Sequence, residues 1–262
     1  MEIKKYKRDS DYSYTLGAFP TFELIDARPE SVLAILVTHD FSDRKRLEEK
    51  CEEAYASGKT GHRIEIIEND KLIDRLSDKE NVYAVGLFSK FDMKLSADRP
   101  HVVLVNPSNM GNLGTIIRTA CGFGIEDIAI IGNSADMFNP KVVRASMGAI
   151  FRVRIQCFED YGEYSAAFCG GDSSCNRLCD AAAGPQREIF TFMLNGRKQL
   201  KLAESPKAEL YSLIFGNEAT GLPDEYLDYG TSVIIPQTEF VDSLNLTIAA
   251  GIGMYVFTQN RF

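Results

Sequence analysis

The stretch HVVLVNPSNMGNLGTIIRTACGFGIEDIAIIG, residues 101–132, decides the fold. HVVLVN (101–106) is a continuous apolar run, as a strand buried on both faces requires. A helical pattern follows over 112–123 and stops near Gly124, and DIAIIG (127–132) is a second buried strand. A strand, a helix and a strand in so short a span make a crossover between parallel neighbours.

The same alternation continues downstream. PKVVRASMG (140–148) reads as a short helix with Pro at its start. FRVRIQCF (151–158), IFTFML (189–194), LYSLIF (210–215) and TSVIIP (231–236) read as strands, and SLNLTIAAGIGMYVF (243–257) as an apolar helix beginning at Ser243. The Gly, Ser and Asp content of 169–188 predicts an irregular loop. Upstream, VLAILVTHDF (32–41), RIEIIEN (63–69) and VYAVGLFSKF (82–91) read as strands, with helices over 43–57 and in NDKLIDRLS between them. FDMKLSADRP (91–100) is a polar linker ending in Pro. The expected architecture is α/β in two domains, 1–95 and 96–262, the second an open, mostly parallel sheet with helices on both faces.

Composition narrows the function classes. The chain of 262 residues is 45% hydrophobic and 25% charged, the profile of an ordinary globular protein. No apolar run reaches the length of a membrane helix, and the polar start MEIKKYKRDSDYSY carries no signal-peptide pattern, so a cytoplasmic location is expected. A net charge of −8 argues against non-specific coating of nucleic acid but leaves room for a local basic patch. KKYKR (4–8) and Arg144 are candidates for phosphate contact. Six cysteines, at 51, 121, 157, 169, 175 and 179, lack the tight pairing of a zinc site, and no metal is expected.

Three segments rich in Gly and Asn stand out: NPSNMGNLGTIIRTA (106–120), LIFGNEATGLP (213–223) and the polar start of the last helix. Each follows the end of a strand in the parallel series. In such sheets ligands bind outside the carboxyl ends of the strands. A dinucleotide fingerprint, a P-loop and a nucleophile elbow are all absent, which sets aside a Rossmann dehydrogenase, a P-loop ATPase and an α/β hydrolase.

Together the three segments resemble the SpoU/TrmH family of SPOUT methyltransferases. The first matches through Asn106, Asn112, Gly114 and Arg118, followed by RASMGAIFRV (144–153); the second through GNEATGLP (216–223); the third through IIP followed by SLNLTIAA (243–250). The likeness runs nearly continuously over 101–262. It implies a parallel sheet whose C-terminal segment forms a trefoil knot, a homodimer with the site completed across the interface, and a small N-terminal α/β domain that binds substrate. It implies transfer of a methyl group from S-adenosylmethionine to a ribose 2′-hydroxyl of RNA, ribosomal RNA ahead of tRNA. The resemblance assigns catalysis to Asn112, Arg118, Ser243 and Asn245. It assigns cofactor binding to Gly216, Asn217, Glu218, Gly221, Ile235, Pro236, Gln237 and Leu244. Between IIP and SLN the chain reads QTEFVD, with Gln237 and Glu239 where relatives often carry Met and Gly. The alternative reading is a non-catalytic RNA-binding module that retains the knotted dimer domain.

The residue types suit the chemistry. The sulfonium donor is already activated, so transfer needs only a hydroxyl whose proton leaves or whose growing charge is stabilised. Arg118 is a permanent cation able to clamp a phosphate and stabilise the alkoxide. Gly216 and Gly221 let backbone approach the cofactor. Asn112 is placed to cap the helix over 113–123 or to contact the site, and Ser243 is a candidate cap for the last helix. Asn245 inside the first turn would be a poor helix former, which favours a site role.

Overall fold

The computed structural model describes residues 3–169, 187–201 and 209–261. The loop expected at 169–188, with Cys175 and Cys179, lies outside the described residues except at its ends. The chain divides into two compact units, Met1–Asp92 with Asp136–Arg152, and Met93–Ala135 with Val153–Phe262.

The first unit holds a four-stranded sheet made of β1 (Tyr12–Tyr14), β2 (Val32–Val37), β3 (Ile66–Glu68) and β4 (Ala84–Ser89), in the order β1-β4-β2-β3. β4 runs antiparallel to both β1 and β2, and β3 is parallel to β2. Helix α1 (Ala18–Ala27) packs on β2 and β4 and against α2 (Arg44–Ala56), and α3 (Asp70–Leu76) packs on β2. The sequence reading did not assign α1. Pro20 obscures it, yet Pro is tolerated in a first turn, where its missing N–H has no helical partner to lose. Segment 136–152, which sequence order placed in the second domain, belongs with this unit for a packing reason. Phe138 and Phe151 close on Phe88 and Phe91, with Phe88–Phe151 centroids 5.1 Å apart and Phe91–Phe138 5.2 Å apart, both edge-to-face. Ser13 Oγ adds a hydrogen bond to the Phe138 carbonyl.

The second unit is built on a seven-stranded parallel sheet. Its strands are β5 (His101–Val105), β6 (Asp127–Ile131), β7 (Arg154–Phe158), β8 (Glu188–Phe192), β9 (Lys198–Gln199), β10 (Tyr211–Phe215) and β11 (Thr231–Ile234). They lie in the order β7-β6-β5-β10-β8-β11-β9. Every residue of β5, β6 and β10 is buried, so these three form the centre, as their unbroken apolar runs require. α4 (Met110–Gly122) buries Leu113, Ile116, Ile117 and Ala120. α7 (Leu246–Thr258) packs against α4 and β10. Gly253 makes that approach possible, since a Cβ there would press on the rings of Phe192 and Phe215, which stack 4.4 Å apart. α6 (Tyr161–Phe168), capped by Asp160, was not foreseen. In the first unit, PKVVRASMG is helical only over α5 (Pro140–Ala145), and a 3-10 turn at Ala149–Phe151 follows it.

The end of the sheet where β5 and β10 begin is sealed by a buried polar cluster. His101 is fully buried, with Nδ1 2.8 Å from Tyr164 Oη and Nε2 2.8 Å from the Ser96 carbonyl. Arg187 donates to the carbonyls of Ala97, Arg99 and Tyr211. Burial first, and the Arg187 charge second, pull the His101 pKa from 6.5 down to about 4. The unfolded chain therefore takes up a proton that the native state refuses. Stability should be full above about pH 6.5 and fall as pH drops toward 4, by up to about 3 kcal/mol from this residue. Urea unfolding of wild type and His101→Gln across that window checks it, with a shallower pH slope expected for the variant.

Candidate active site

The loops that leave the carboxyl ends of β8, β10 and β11 converge in the second unit. They enclose a cavity of about 490 Å³, well inside the usual range for a small-molecule site. From the second segment Gly216, Asn217, Glu218 and Gly221 line it. Ile235, Gln237, Ser243 and Leu244 line it from the third, and Met193, Leu194 and Asn195 from the turn after β8. The turn after β8 was not singled out in the sequence, because nothing in FMLNGR departs from an ordinary strand end.

The second segment is a loop folded tightly on itself. Asn217 and Gly221 exchange backbone hydrogen bonds of 3.2 and 2.9 Å. A Cβ on Gly216 would fall on the backbone of Gly221 and Leu222, so this glycine serves the loop's own closure, a different reason from approach to a cofactor. Gly221 has open space around its Cβ position but sits at φ 68°, a left-handed conformation.

Glu218 joins the second segment to the first. One carboxylate oxygen accepts from the Ser108 N–H at 3.3 Å and the Ser108 hydroxyl at 3.0 Å. The other accepts from the Asn109 N–H and from Asn112 Nδ2, both at 3.2 Å. Asn217 adds a second tie, its Nδ2 donating to the Asn106 carbonyl at 2.6 Å. Asn106 presents that carbonyl from φ 51°, and its own Oδ1 accepts from the Asn133 N–H at 2.9 Å. Ser108 and Asn109 were missed as site residues, although both lie inside the first matched segment, between Asn106 and Asn112.

Burial alone would raise the Glu218 pKa. The backbone N–H of Glu218 itself and the donors from Ser108, Asn112 and Asn109 outweigh it and hold the carboxyl below its ordinary value.

Two expected helix caps move. Asn109 caps α4, its Oδ1 accepting from Gly111 and Asn112 N–H, so Asn112 is inside the helix with its amide free to reach Glu218. Asn245 caps α7, accepting from the Thr247 N–H at 2.8 Å and the Thr247 hydroxyl at 2.6 Å. The helix thus begins at Leu246, and Ser243, exposed on the cavity wall, is not its cap. Asn245 does not line the cavity, nor does Pro236. Arg118 is exposed on α4, lies off the cavity, and makes no hydrogen bond or ion pair among the described residues. The chain therefore brings Ser243 to the cavity wall, ties Asn112 to the wall residue Glu218, and leaves Arg118 facing solvent.

Residues 99–255 match the SpoU rRNA Methylase family. The chain belongs to that family. The match covers all three Gly- and Asn-rich segments and every element around the cavity. Relatives include an uncharacterized tRNA/rRNA methyltransferase of Synechocystis sp., 30% identical over 155 residues, 59% of this chain and 51% of that one. The 23S rRNA (guanosine(2553)-2′-O)-methyltransferase of Bacillus subtilis is 27% identical over 163 residues, 62% of this chain and 59% of that one. The chain thus spans little more than half the length of these relatives. An adenosylmethionine-bound rRNA methyltransferase from Sinorhizobium meliloti superimposes with a TM-score of 0.74 at 24% identity, over 96% of this chain and 88% of that one, a likeness of fold. No helix among the described residues is long and apolar enough to cross a membrane.

Replacing Glu218 by Ala should unfasten the 106–112 loop and lower unfolding stability by about 1–2 kcal/mol, the modest end of the range for charged hydrogen bonds because the carboxylate is half-exposed. The contribution is present above about pH 4.5 and lost as pH falls through the lowered pKa. Urea denaturation of both proteins at pH 7 and pH 4 measures it. Equal stability at neutral pH would remove the proposed staple.

Proposed function

We propose that this SpoU-family protein transfers a methyl group from S-adenosylmethionine to a ribose 2′-hydroxyl of RNA, ribosomal RNA ahead of tRNA, in the cytoplasm. The observation that carries the reading is the cavity, built where a parallel sheet binds ligands and lined from two of the three predicted segments, with the first fastened to it by Glu218. Its apolar wall of Phe192, Phe215, Leu222 and Leu246 suits an adenine and a methylene chain, and the backbone of the 216–221 loop offers hydrogen bonds to a purine edge. Gly216, Asn217, Glu218, Gly221, Ile235, Gln237 and Leu244 would hold the donor, Asn217 and Glu218 by fixing the loops. Ser243 would face the ribose. A non-catalytic RNA-binding role leaves so well formed a cavity without a purpose.

Arg118 reaches chemistry in this reading through a second copy of the chain. The outer face of α7 presents Ile248 and Tyr255, 55% and 50% exposed, one stripe at helical spacing. Phe123 at the end of α4 lies against Tyr255, with centroids 6.2 Å apart. An apolar stripe beside an unpartnered cation fits a homodimer in which each Arg118 enters the partner's site, clamps the RNA phosphate and stabilises the forming alkoxide. The insertion of β10 between β5 and β8 fits a C-terminal trefoil knot. The first unit would bind structured RNA, with Arg144 and the basic run 4–8 as phosphate contacts, although Lys5 is already paired with Asp78 at 2.8 Å.

Methyl transfer is tested by incubating the protein with RNA and isotope-labelled adenosylmethionine, digesting the RNA and finding the label on 2′-O-methyl nucleosides. Label on a base would refute the assignment. Arg118→Ala should cut turnover by roughly 100-fold or more while adenosylmethionine binding by calorimetry persists. Tyr255→Glu should yield monomers by analytical ultracentrifugation and lose turnover with them; an active monomer would exclude the shared site.

A further inference from the structure

One feature of the cavity region belongs to neither the cavity wall nor the core. The loop QTEFVD (237–242) leaves the cavity at Gln237 and returns to it at Ser243. The Gln237 side chain closes the loop at its base, Nε2 donating to the Asp242 carbonyl at 3.4 Å. Everything from Thr238 to Ser243 is exposed. At its tip stands Phe240, 93% exposed, beside Val241 at 50%. No other large apolar side chain among the exposed ones described is so fully in water.

We propose that Phe240 is a stacking platform for a nucleobase of the RNA substrate, the base adjacent to the target ribose. The inference rests on the methyltransferase reading and extends it to a specificity-determining contact. Unpaired RNA bases are recognised by stacking on aromatic rings, and such contacts tolerate any base because each has a π-face. The position suits it. Phe240 is three residues from Ser243, so its backbone lies within about 10 Å of the cavity wall where the ribose must come.

The neighbours select the kind of contact. Glu239 and Asp242, both exposed, lie within two residues of Phe240 and would repel a phosphate backbone or an anionic lipid surface, while a neutral base face meets no such penalty. A basic residue at this tip would have indicated backbone tracking; an aromatic between carboxylates indicates a base.

The chain contains no tryptophan, so Phe240→Trp introduces a single one, read apart from the 11 tyrosines by exciting at the red edge where tyrosine does not absorb. With saturating adenosylmethionine, a short oligouridylate should quench that emission, and an abasic oligomer of equal length and charge should not. Equal quenching by the abasic oligomer, quenching by adenosylmethionine alone, or emission that changes with protein concentration before RNA is added would each overturn the proposal. They would point to phosphate, cofactor or a second protein copy instead. In turnover assays Phe240→Ala should raise KM for RNA about tenfold with kcat and adenosylmethionine affinity unchanged, and Phe240→Tyr should restore it. Unchanged KM in Phe240→Ala refutes the inference alone; absence of methyl transfer by the wild type refutes the underlying function.

Discussion

The carboxylate of Glu218 is the constraint on which the site depends. Two loops leave neighbouring strands, β5 and β10, and nothing in strand pairing dictates how their continuations meet. Glu218 settles it by accepting from two backbone amides, a hydroxyl and a side-chain amide of the 108–112 segment. Backbone N–H groups at the start of a helix are the donors a carboxylate satisfies best, because the helix dipole adds to the hydrogen bonds. The same contacts hold Asn109, which caps α4, and fix the Asn112 amide on Glu218. One acidic side chain thus completes a helix end, a loop junction and a cavity wall.

That arrangement explains why the second segment needs its particular residues. Gly216 allows the loop to close on Gly221, Gly221 takes the left-handed turn, and Asn217 reaches back to the Asn106 carbonyl. With those three in place Glu218 has one direction to point. The glycines shape the scaffold that presents polar groups, and their effect on a ligand is indirect.

The sheet was legible because its central strands are unbroken apolar runs, and His101–Val105, Asp127–Ile131 and Tyr211–Phe215 fall within a residue or so of where those runs predicted. Elements whose identity rests on tertiary packing were not. α1 hides behind Pro20, and segment 136–152 follows Phe138 and Phe151 into the first unit against sequence order. That Gly216, Asn217, Glu218, Gly221, Ile235, Gln237 and Leu244 come to one cavity was legible from the common place of their segments at strand ends; Pro236 does not line it. The helix caps were not, since NPSN and SLN each offer several candidates and only the register of the first turn chooses Asn109 and Asn245.

The loop QTEFVD is closed without a glycine. Glycine is needed where backbone must be left-handed or crowded, and Glu239 is not among the residues with positive φ. The bulk and charge that Glu239 brings are turned to solvent, where they cost little. Closure of the loop passes to Gln237, whose amide can span to the Asp242 carbonyl, a bond a methionine could not donate. The loop is thereby tied at its base and free at its tip. Its outermost side chain, Phe240, is left in solvent, which is why the chemistry of residue 240 bears hardly at all on the fold.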